Sequence, residues 1–105
     1  MEKRRLAKYG MTVEDYDQLL RWQDGRCPAC MKRFTPGRRP HIDHSHRTGE
    51  VRGLLCFSCN YTAGQLHEDS GWMRRMAAYL EYPPTRDIFT TPRRHVDAPP
   101  TKDTP

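Results

Sequence analysis

Apolar residues recur three or four positions apart in two parts of the chain. In residues 12–23 this spacing predicts a helix, and Thr12 with Asp15 three positions later is typical of its first turn. The same spacing after Ser70 predicts a second long helix, capped by Ser70 and ended by the prolines at 83–84. We expect the apolar face of this second helix to belong to the core. It consists of Trp72, Met73, Met76, Ala77 and Leu80.

Between these helices the pattern changes to short runs that are typical of strands. "RPHID" and "VRGLL" each favour a strand, and "RTGE" between them favours a turn, so residues 40–55 predict a hairpin with an irregular loop. After Cys59, "NYTAGQL" predicts one or two helical turns that begin at Asn60, although Gly64 weakens them. The predicted order is helix, hairpin, short helix, helix.

The composition indicates one small domain with a thin core. The chain has 105 residues, of which 35% are apolar, and its mean hydropathy is −0.97. Such a chain needs a further source of stability besides hydrophobic burial. Six of the nine prolines lie in residues 83–105. We therefore expect a basic arm at residues 1–10, a folded domain at 11–83 and a disordered tail at 84–105.

Positive charge is concentrated in the first third of the chain. Residues 1–39 carry ten Lys and Arg against five Asp and Glu, in a chain with a net charge of +5. This asymmetry favours an anionic partner, nucleic acid above all, with an Arg-rich soluble surface as the alternative. No apolar run suits a membrane helix and no signal-peptide pattern opens the chain, so we expect a cytoplasmic protein without a membrane partner.

The four cysteines fall into two Cys-x-x-Cys pairs, Cys27 with Cys30 and Cys56 with Cys59. Each pair can form a knuckle, and two knuckles make a tetrahedral zinc site with bonds of about 2.3 Å. Because cysteine fills all four positions, we expect the zinc to be structural and to supply folding energy that the thin core lacks. Two disulfides or inert buried thiols are the alternatives, and a reducing cytoplasm disfavours the disulfides.

The segment between the cysteine pairs is long and holds a polar cluster. Twenty-five residues separate Cys30 from Cys56, more than the roughly 15–20 of an ordinary four-cysteine zinc site. This insert contains "HIDHSH" at residues 41–46, which can be a catalytic site, a histidine-rich metal site or a solvated loop. In a regular strand Asp43 and His44 point to opposite faces, so they can converge only if the strand ends or bulges there.

The pattern "CPAC…HIDHSH…VRGLLCFSCN" resembles the phage recombination endonuclease VII family, a branch of the HNH (ββα-metal) nucleases. The resemblance covers roughly residues 9–83. It implies a small α+β fold, namely a zinc-stapled ββα-metal (HNH-like) domain with flanking helices, followed by the Pro-rich tail. It also implies a metal-dependent DNA endonuclease that hydrolyses phosphodiester bonds by nicking or double-strand cleavage, with branched DNA as one candidate substrate.

The resemblance further implies roles for single residues. Asp43 and Asn60 correspond to ligands of one catalytic Mg²⁺ or Mn²⁺, and oxygen donors suit such cations. His44 corresponds to the general base that takes a proton from the attacking water. His46 would shape the site or contact phosphate, and His41 would orient a neighbour. Both of these histidines can instead be ordinary surface residues, and Asn60 can also cap the short helix.

We expect nucleic-acid contacts from Arg52 and from the basic start of the chain, because phosphate contacts supply most sequence-independent affinity. The residues concerned at the start are Lys3, Arg4 and Arg5. Arg52 can instead pair with Glu50. The expected partner is DNA, bound largely without sequence preference by a monomer or homodimer, in a bacterial host cell if the protein is phage-encoded.

One departure from the family pattern concerns the residue three positions after the asparagine. The family has an acidic residue there, whereas this chain has Ala63. The alternative function is a non-catalytic, zinc-stabilised module that binds nucleic acid. Such a module would need the zinc and the basic surface, but not the combination of Asp43, His44 and Asn60.

Overall fold

The fold is given by a computed structural model that describes residues 2–99, apart from the side chain of Glu2. The helices and strands within that range, in chain order, are α1 (Glu2–Ala7), α2 (Val13–Trp22), β1 (His41–His44), β2 (Val51–Leu55), α3 (Phe57–Gln65), α4 (Ser70–Glu81) and α5 (Thr85–Ile88). The chain divides into two compact units, at residues 1–68 and 69–105. A small α+β fold was expected and is confirmed.

Helix α2 begins where the sequence predicts. The Thr12 side chain accepts a hydrogen bond from the backbone N–H of Asp15 (3.1 Å), and the Asp15 carboxylate accepts one from the backbone N–H of Thr12 (2.9 Å). This capping box satisfies donors that the first turn of a helix leaves without partners. Beyond the end of α2, Asp24 and Gly25 have φ values of 55° and 64°, so the chain reverses there.

The core of the first unit is small. Leu6 and Leu54 are fully buried, and Ile42 is 7% exposed. Half-buried side chains surround these three: Tyr9, Met11, Val13, Tyr16, Leu19, Leu20, Phe34 and Val51. Leu6 belongs to α1, so the segment expected to be a basic arm contributes a residue to the core.

Strands β1 and β2 form the predicted hairpin, and their pairing is irregular beside the polar cluster. Asp43 lies opposite Gly53, but the next residue, His44, lies opposite Val51. Arg52 is therefore the extra residue of a β-bulge, which bends a strand and redirects side chains. Strand β1 itself ends at His44, which is one of the two conditions under which Asp43 and His44 can converge.

The end of α2 is tied to β2 by one side chain. The Gln23 amide accepts a hydrogen bond from the backbone N–H of Leu54 and donates to the Leu54 carbonyl, both at 2.9 Å. It also donates to the carbonyl of Arg26 at 3.0 Å. A Cβ at Gly53 would lie 3.1 Å from the Gln23 oxygen, so this close approach favours glycine.

Helix α3 begins at Phe57, so its predicted start at Asn60 is wrong. Its N-cap is Cys56, whose sulfur accepts a hydrogen bond from the backbone N–H of Cys59 at 3.4 Å. Asn60 lies inside the helix and does not cap it. Cysteine is not among the usual capping residues, and the sequence therefore pointed to the asparagine instead.

In the second unit, α4 forms where it was predicted, but with a different cap. The carboxylate of Asp69 accepts a hydrogen bond from the backbone N–H of Trp72 at 3.0 Å, and Ser70 is already the first helical residue. The predicted core role of the apolar face is wrong, because no residue of α4 is buried. Met76 is 40% exposed and Leu80 is 69% exposed. An amphipathic pattern predicts a face but not a partner that covers it.

The proline-rich end of the chain has little regular structure. The short helix α5 was not predicted, and residues 89–99 contain no helix or strand. Residues 100–105, which fall within the expected tail, lie outside the described residues. In the part of the chain that is described, no helix is both long and apolar enough to cross a bilayer.

Candidate functional site

The two cysteine pairs come together in the first unit. The sulfur atoms of Cys27, Cys30, Cys56 and Cys59 all lie within 4.8 Å of one another, and none is in a disulfide. Cys27 is fully buried. Four cysteine ligands in a closed group are typical of a structural zinc site, so these residues could hold a structural metal such as zinc.

Backbone hydrogen bonds and turns close in sequence form the knuckles that carry these cysteines. In the first, the backbone N–H of Cys27 donates to Lys32 (2.9 Å) and that of Met31 donates to the Cys27 carbonyl (2.8 Å). Met31 has φ 67°, so the chain turns back sharply there. In the second, the start of α3 brings Cys59 back towards Cys56. Each pair therefore presents its sulfur atoms on one side.

The pKa values of two thiols in the cluster move in opposite directions. Desolvation raises both, but hydrogen bonds from surrounding backbone N–H groups, that of Cys56 first, outweigh it and lower the pKa of Cys27 to about 6. Desolvation and interactions with the other cysteines raise the pKa of Cys59 to about 12. One thiolate forms readily, and further thiolates so close to it are costly without a cation.

A second feature of this unit is a cleft of about 300 Å³. Its walls include all the residues of the polar cluster that the sequence singled out, together with the asparagine of α3. These are His41, Asp43, His44, His46 and Asn60. Arg5, Tyr9, Arg52 and Glu68 also line it. The bulged hairpin and α3 thus bring the predicted residues to one place.

Arg52 bridges two carboxylates in the cleft. It donates two hydrogen bonds to Asp43, at 2.8 and 2.9 Å, and one to Glu68 at 2.6 Å. It also donates to the carbonyl of His44 at 3.2 Å. Asp43 is only 8% exposed, and two parallel bonds to a guanidinium are a strong arrangement. Hydrogen bonding to Asp43 raises the pKa of Arg52 above its usual range. The sequence also allowed Arg52 to pair with Glu50, but the observed partners of Arg52 are Asp43 and Glu68.

The histidines of the cleft contact one another and their neighbours. The ring of His44 lies 5.5 Å from that of Tyr9 and 5.0 Å from that of His46. Nδ1 of His46 lies 3.2 Å from a carboxylate oxygen of Glu68. Desolvation acts to raise the pKa of Glu68, but hydrogen bonds with Arg52 and His46 outweigh it and keep that pKa below its ordinary value.

Sequence reasoning did not single out several residues that line the cleft, among them Tyr9, Arg39 and Glu68. Glu68 reaches it because α3 ends in a reversal in which His67 and Glu68 have φ values of 55° and 56°. Non-glycine residues with positive φ are uncommon, and no spacing rule predicts them. Glu68 thus supplies a carboxylate to the cleft, although Ala63 stands where the family has an acidic residue.

Two metal sites considered from the sequence can be compared directly. Among residues 2–99, the four cysteines are the only group of three or more His, Cys, Asp or Glu residues whose ligand atoms lie close enough together to hold a metal. The histidine-rich alternative of His41, His44 and His46 does not form such a group. A catalytic ion would therefore need ligands from water or phosphate as well.

The basic start of the chain is partly built into the unit. Arg5 donates to the carbonyl of Pro40 at 3.1 Å, and its guanidinium carbon lies 5.7 Å from the centre of the Tyr16 ring. Lys3 and Arg4 are exposed and are not among the residues that line the cleft. Of the three nucleic-acid contacts predicted at the start of the chain, only Arg5 lines the cleft.

The first unit thus combines a cysteine cluster that could hold a structural metal with a cleft that contains His, Asp and Asn side chains. The family model described as recombination endonuclease VII matches residues 2–82, and the chain belongs to that family.

Two phage proteins are similar to this chain, and both carry the name Gene 59 protein. The one from Mycobacterium phage L5 is 43% identical over 89 residues, which make up 84% of this chain and 54% of that protein. The one from Mycobacterium phage D29 is 42% identical over 89 residues, with the same coverage. The chain thus spans about half the length of the curated relatives it matches.

Proposed function

We propose that the protein is a metal-dependent DNA endonuclease that hydrolyses phosphodiester bonds by a one-metal HNH mechanism. The observation that supports this most is the cleft, which contains His44, Asp43 and Asn60 in a chain of the recombination endonuclease VII family. We further propose that the four cysteines bind zinc and thereby hold both ends of the hairpin region in place.

The donor atoms in the cleft fit a hard divalent cation such as Mg²⁺ or Mn²⁺. Asp43 offers a carboxylate and Asn60 an amide oxygen, and Glu68 offers a second carboxylate in the same cleft. Cations of this kind are bound through one or two carboxylates, with water and phosphate filling the remaining positions. When bound, the ion would stabilise negative charge on the phosphate and on the departing oxygen.

An ion bound at Asp43 would compete with Arg52 for the carboxylate oxygens. Both oxygens of Asp43 accept hydrogen bonds from Arg52, so this guanidinium balances the charge of the carboxylate. Arg52 can leave Asp43 without losing every partner, because it also donates to Glu68. From there its guanidinium lies in the cleft and can donate to a DNA phosphate, which is the contact we propose for it.

His44 is the proposed general base. Neutral imidazole can accept a proton from water near neutral pH, and a positioned base of this type is worth roughly 10²- to 10⁴-fold in rate. The rings of Tyr9 and His46 flank that of His44 at 5.5 and 5.0 Å, and these contacts restrict its orientation. We propose that His46 positions His44 or contacts phosphate, and that His41 lies at the edge of the site.

A plasmid nicking assay tests this proposal. The full chain is incubated with supercoiled DNA with Mg²⁺, with Mn²⁺ and without added divalent ions, and the zinc content is measured in each sample. We expect conversion to the nicked or linear form only when Mg²⁺ or Mn²⁺ is present. Asp43→Ala and Asn60→Ala should weaken the response to the ion while zinc content stays constant. Metal-independent conversion would contradict the mechanism.

One observation favours a second function, a zinc-stabilised module that binds nucleic acid without cutting it. The bond between Arg52 and Asp43 is close to ideal in geometry, and in a pure binding protein it would simply persist. The two functions differ in the ion response. If no supercoiled, single-stranded or branched DNA is cut with any divalent ion, yet DNA is bound, the binding module is the better account.

A further inference from the structure

Three aromatic rings lie side by side on the surface of the first unit. The rings of His41 and Phe57 are stacked, with centroids 5.6 Å apart and planes 28° from parallel. Tyr61 meets Phe57 edge-on, with centroids 6.0 Å apart. Phe57 and Tyr61 are four residues apart on α3, so the helix presents both side chains on one face. We refer to His41, Phe57 and Tyr61 as the aromatic patch.

The patch is exposed to a degree that a packing role does not explain. Phe57 is 56% exposed and Tyr61 is 60% exposed, and neither is among the residues that pack against the core of this unit. Phe57 directly follows Cys56, at the first position of α3, so the second cysteine pair holds it in place. Clustered aromatic rings that are exposed to solvent are features of binding surfaces.

The surroundings of the patch are strongly basic. Phe57 and His41 line a groove of about 920 Å³, which is also lined by Cys30, Cys56 and Cys59 and by the loop between the first cysteine pair and β1. The cations of that loop that line the groove are Lys32, Arg33, Arg38 and Arg39. Residues 25–42 contain no Asp or Glu. A tight turn, closed by a hydrogen bond from Arg38 N–H to the Thr35 carbonyl at 2.9 Å, forms part of this loop.

We propose that the aromatic patch is a stacking site for an unpaired nucleobase of DNA, with the basic loop binding the phosphates of the same strand. Base stacking on aromatic rings combined with a positively charged groove is the general chemistry of single-strand binding. His41 lines both this groove and the cleft, so the unpaired base would lie next to the proposed cleavage site. This names the substrate class for the proposed endonuclease and rests on that function.

The chemistry favours an unpaired base over intact duplex DNA. In a duplex both faces of each base are stacked on its neighbours, so a protein ring can contact only groove edges and backbone. An unpaired base offers its flat face, and such stacking tolerates any base. A surface that binds only duplex phosphates needs Lys and Arg but no exposed aromatic rings. The exposure of Phe57 and Tyr61 therefore favours an unpaired base.

The test is a binding measurement without catalysis, in buffer free of added Mg²⁺ and Mn²⁺. Fluorescence anisotropy gives Kd for labelled oligothymidylate and for a duplex of equal length, with wild type and with a Phe57→Ala, Tyr61→Ala double variant. We expect single-strand Kd to rise on the order of 10- to 100-fold, from the usual worth of base–aromatic stacking. Duplex Kd should change by no more than about twofold, since phosphate contacts dominate there.

Matched variants separate stacking from general damage to the surface. Trp22→Ala removes another aromatic ring, one that is 87% exposed on α2, and should leave both Kd values unchanged. Phe57→Tyr should retain single-strand affinity, whereas Phe57→Leu, which is apolar but cannot stack, should not. Fluorescence of 2-aminopurine in the single strand should be quenched by wild type and not by the double variant. All variants should melt like wild type.

The outcomes also separate this inference from the proposed function. Equal single-strand Kd for wild type and the double variant, with nicking intact, overturns the stacking site and leaves the endonuclease standing. Absence of metal-dependent nicking, with Phe57-dependent quenching retained, overturns the endonuclease and leaves the stacking site. Loss of single-strand and duplex affinity to the same extent would mean that the patch supports the fold of the basic groove, and it would overturn the proposal.

Discussion

The cysteine cluster and the cleft lie in one unit, but the negatively charged groups of the two sites have different partners. In the cluster, four sulfur atoms lie within 4.8 Å of one another, and desolvation together with the other cysteines raises the pKa of Cys59 to about 12. In the cleft, Arg52 donates hydrogen bonds to both carboxylates, Asp43 and Glu68, and balances one of their two negative charges. An ion in the cluster would offset repulsion between thiolates, whereas in the cleft a cationic side chain already offsets part of the charge. We therefore expect the fold to depend on an ion in the cluster and not on one in the cleft.

This difference separates stability from function within a small protein. An ion that the fold requires must remain bound throughout, and a closed set of cysteine ligands suits that. An ion that takes part in turnover must exchange with water and substrate, and a partly open set of oxygen donors suits that. We therefore expect removal of zinc to unfold the protein and removal of Mg²⁺ to leave its melting temperature almost unchanged.

The largest effect should come from breaking the cysteine cluster. Cys59→Ser removes one ligand and should abolish cooperative unfolding. Structural zinc contributes roughly 10–16 kcal/mol in small zinc domains, which is comparable to the whole stability of about 5–15 kcal/mol of an ordinary domain. Circular dichroism melts and zinc analysis measure it. Ser58→Ala, in the same knuckle, is the control and should behave as wild type. A cooperative melt in zinc-free protein would contradict the prediction.

The next effect should come from the cleft and should leave stability untouched. His44→Ala should lower single-turnover nicking on the order of 10²- to 10⁴-fold, the usual worth of a positioned base. Its zinc content, melting temperature and DNA affinity should match wild type. His95→Ala, an exposed histidine outside the cleft, should cut normally. Equal nicking by wild type and His44→Ala would eliminate His44 as the base.

A smaller effect, on the affinity of the cleft for Mn²⁺, should come from changes to the ion pairs of Arg52. Arg52→Ala removes the cation that competes with Mn²⁺ for the Asp43 carboxylate and should lower the Kd for Mn²⁺. Glu68→Gln removes the second carboxylate partner of Arg52, so Arg52 should stay bonded to Asp43 and the Kd for Mn²⁺ should rise. We expect changes of about three- to tenfold, since these charged bonds are partly exposed and screened. Electron paramagnetic resonance of Mn²⁺ measures both.

Arg47→Ala is the matched control, since it removes an exposed arginine of the same hairpin and should not alter Mn²⁺ binding. A rise in Kd for both test variants would show that Arg52 supports the ion site instead of competing with it.

The smallest effect concerns charges on α1. Arg5 is engaged with Pro40, whereas Lys3 and Arg4 are exposed, so the two exposed cations are the ones expected to contact DNA. A Lys3→Gln, Arg4→Gln double variant should make the salt dependence of duplex affinity shallower by about 0.9 per lost phosphate contact. Titrations at several salt concentrations give the slope. The same slope in wild type and variant would show that α1 does not touch the backbone.

Local signals in the sequence were sufficient for much of the fold. The Thr12 and Asp15 cap, the hairpin and the clustering of the cysteines were predicted correctly. Each depends on residues close in sequence, or on a metal chemistry that demands a fixed set of ligands. The expectation that the strand ends or bulges at Asp43 and His44 followed from the alternation of side chains in a strand.

The remainder depends on contacts that are distant in sequence. Arg52 pairs with Glu68, which lies sixteen positions later in the sequence. Glu68 reaches the cleft only through a left-handed reversal after α3. No propensity gives either contact. The cap of α3 was missed because Cys56, a ligand candidate, also serves as the N-cap. The exposed face of α4 shows the same limit, since periodicity carries no information about a partner.

Gln23 gives the hairpin an unusual property in hydrogen exchange. The amide hydrogen of Leu54 bonds to the Gln23 side chain, and Gln23 is the C-cap of α2. That hydrogen can exchange with solvent deuterium only when the end of α2 separates from the strand. A strand residue would therefore report the opening of a helix that precedes it by more than thirty residues. Helix and hairpin would open as one cooperative unit, since neither can fray without freeing the amide that joins them.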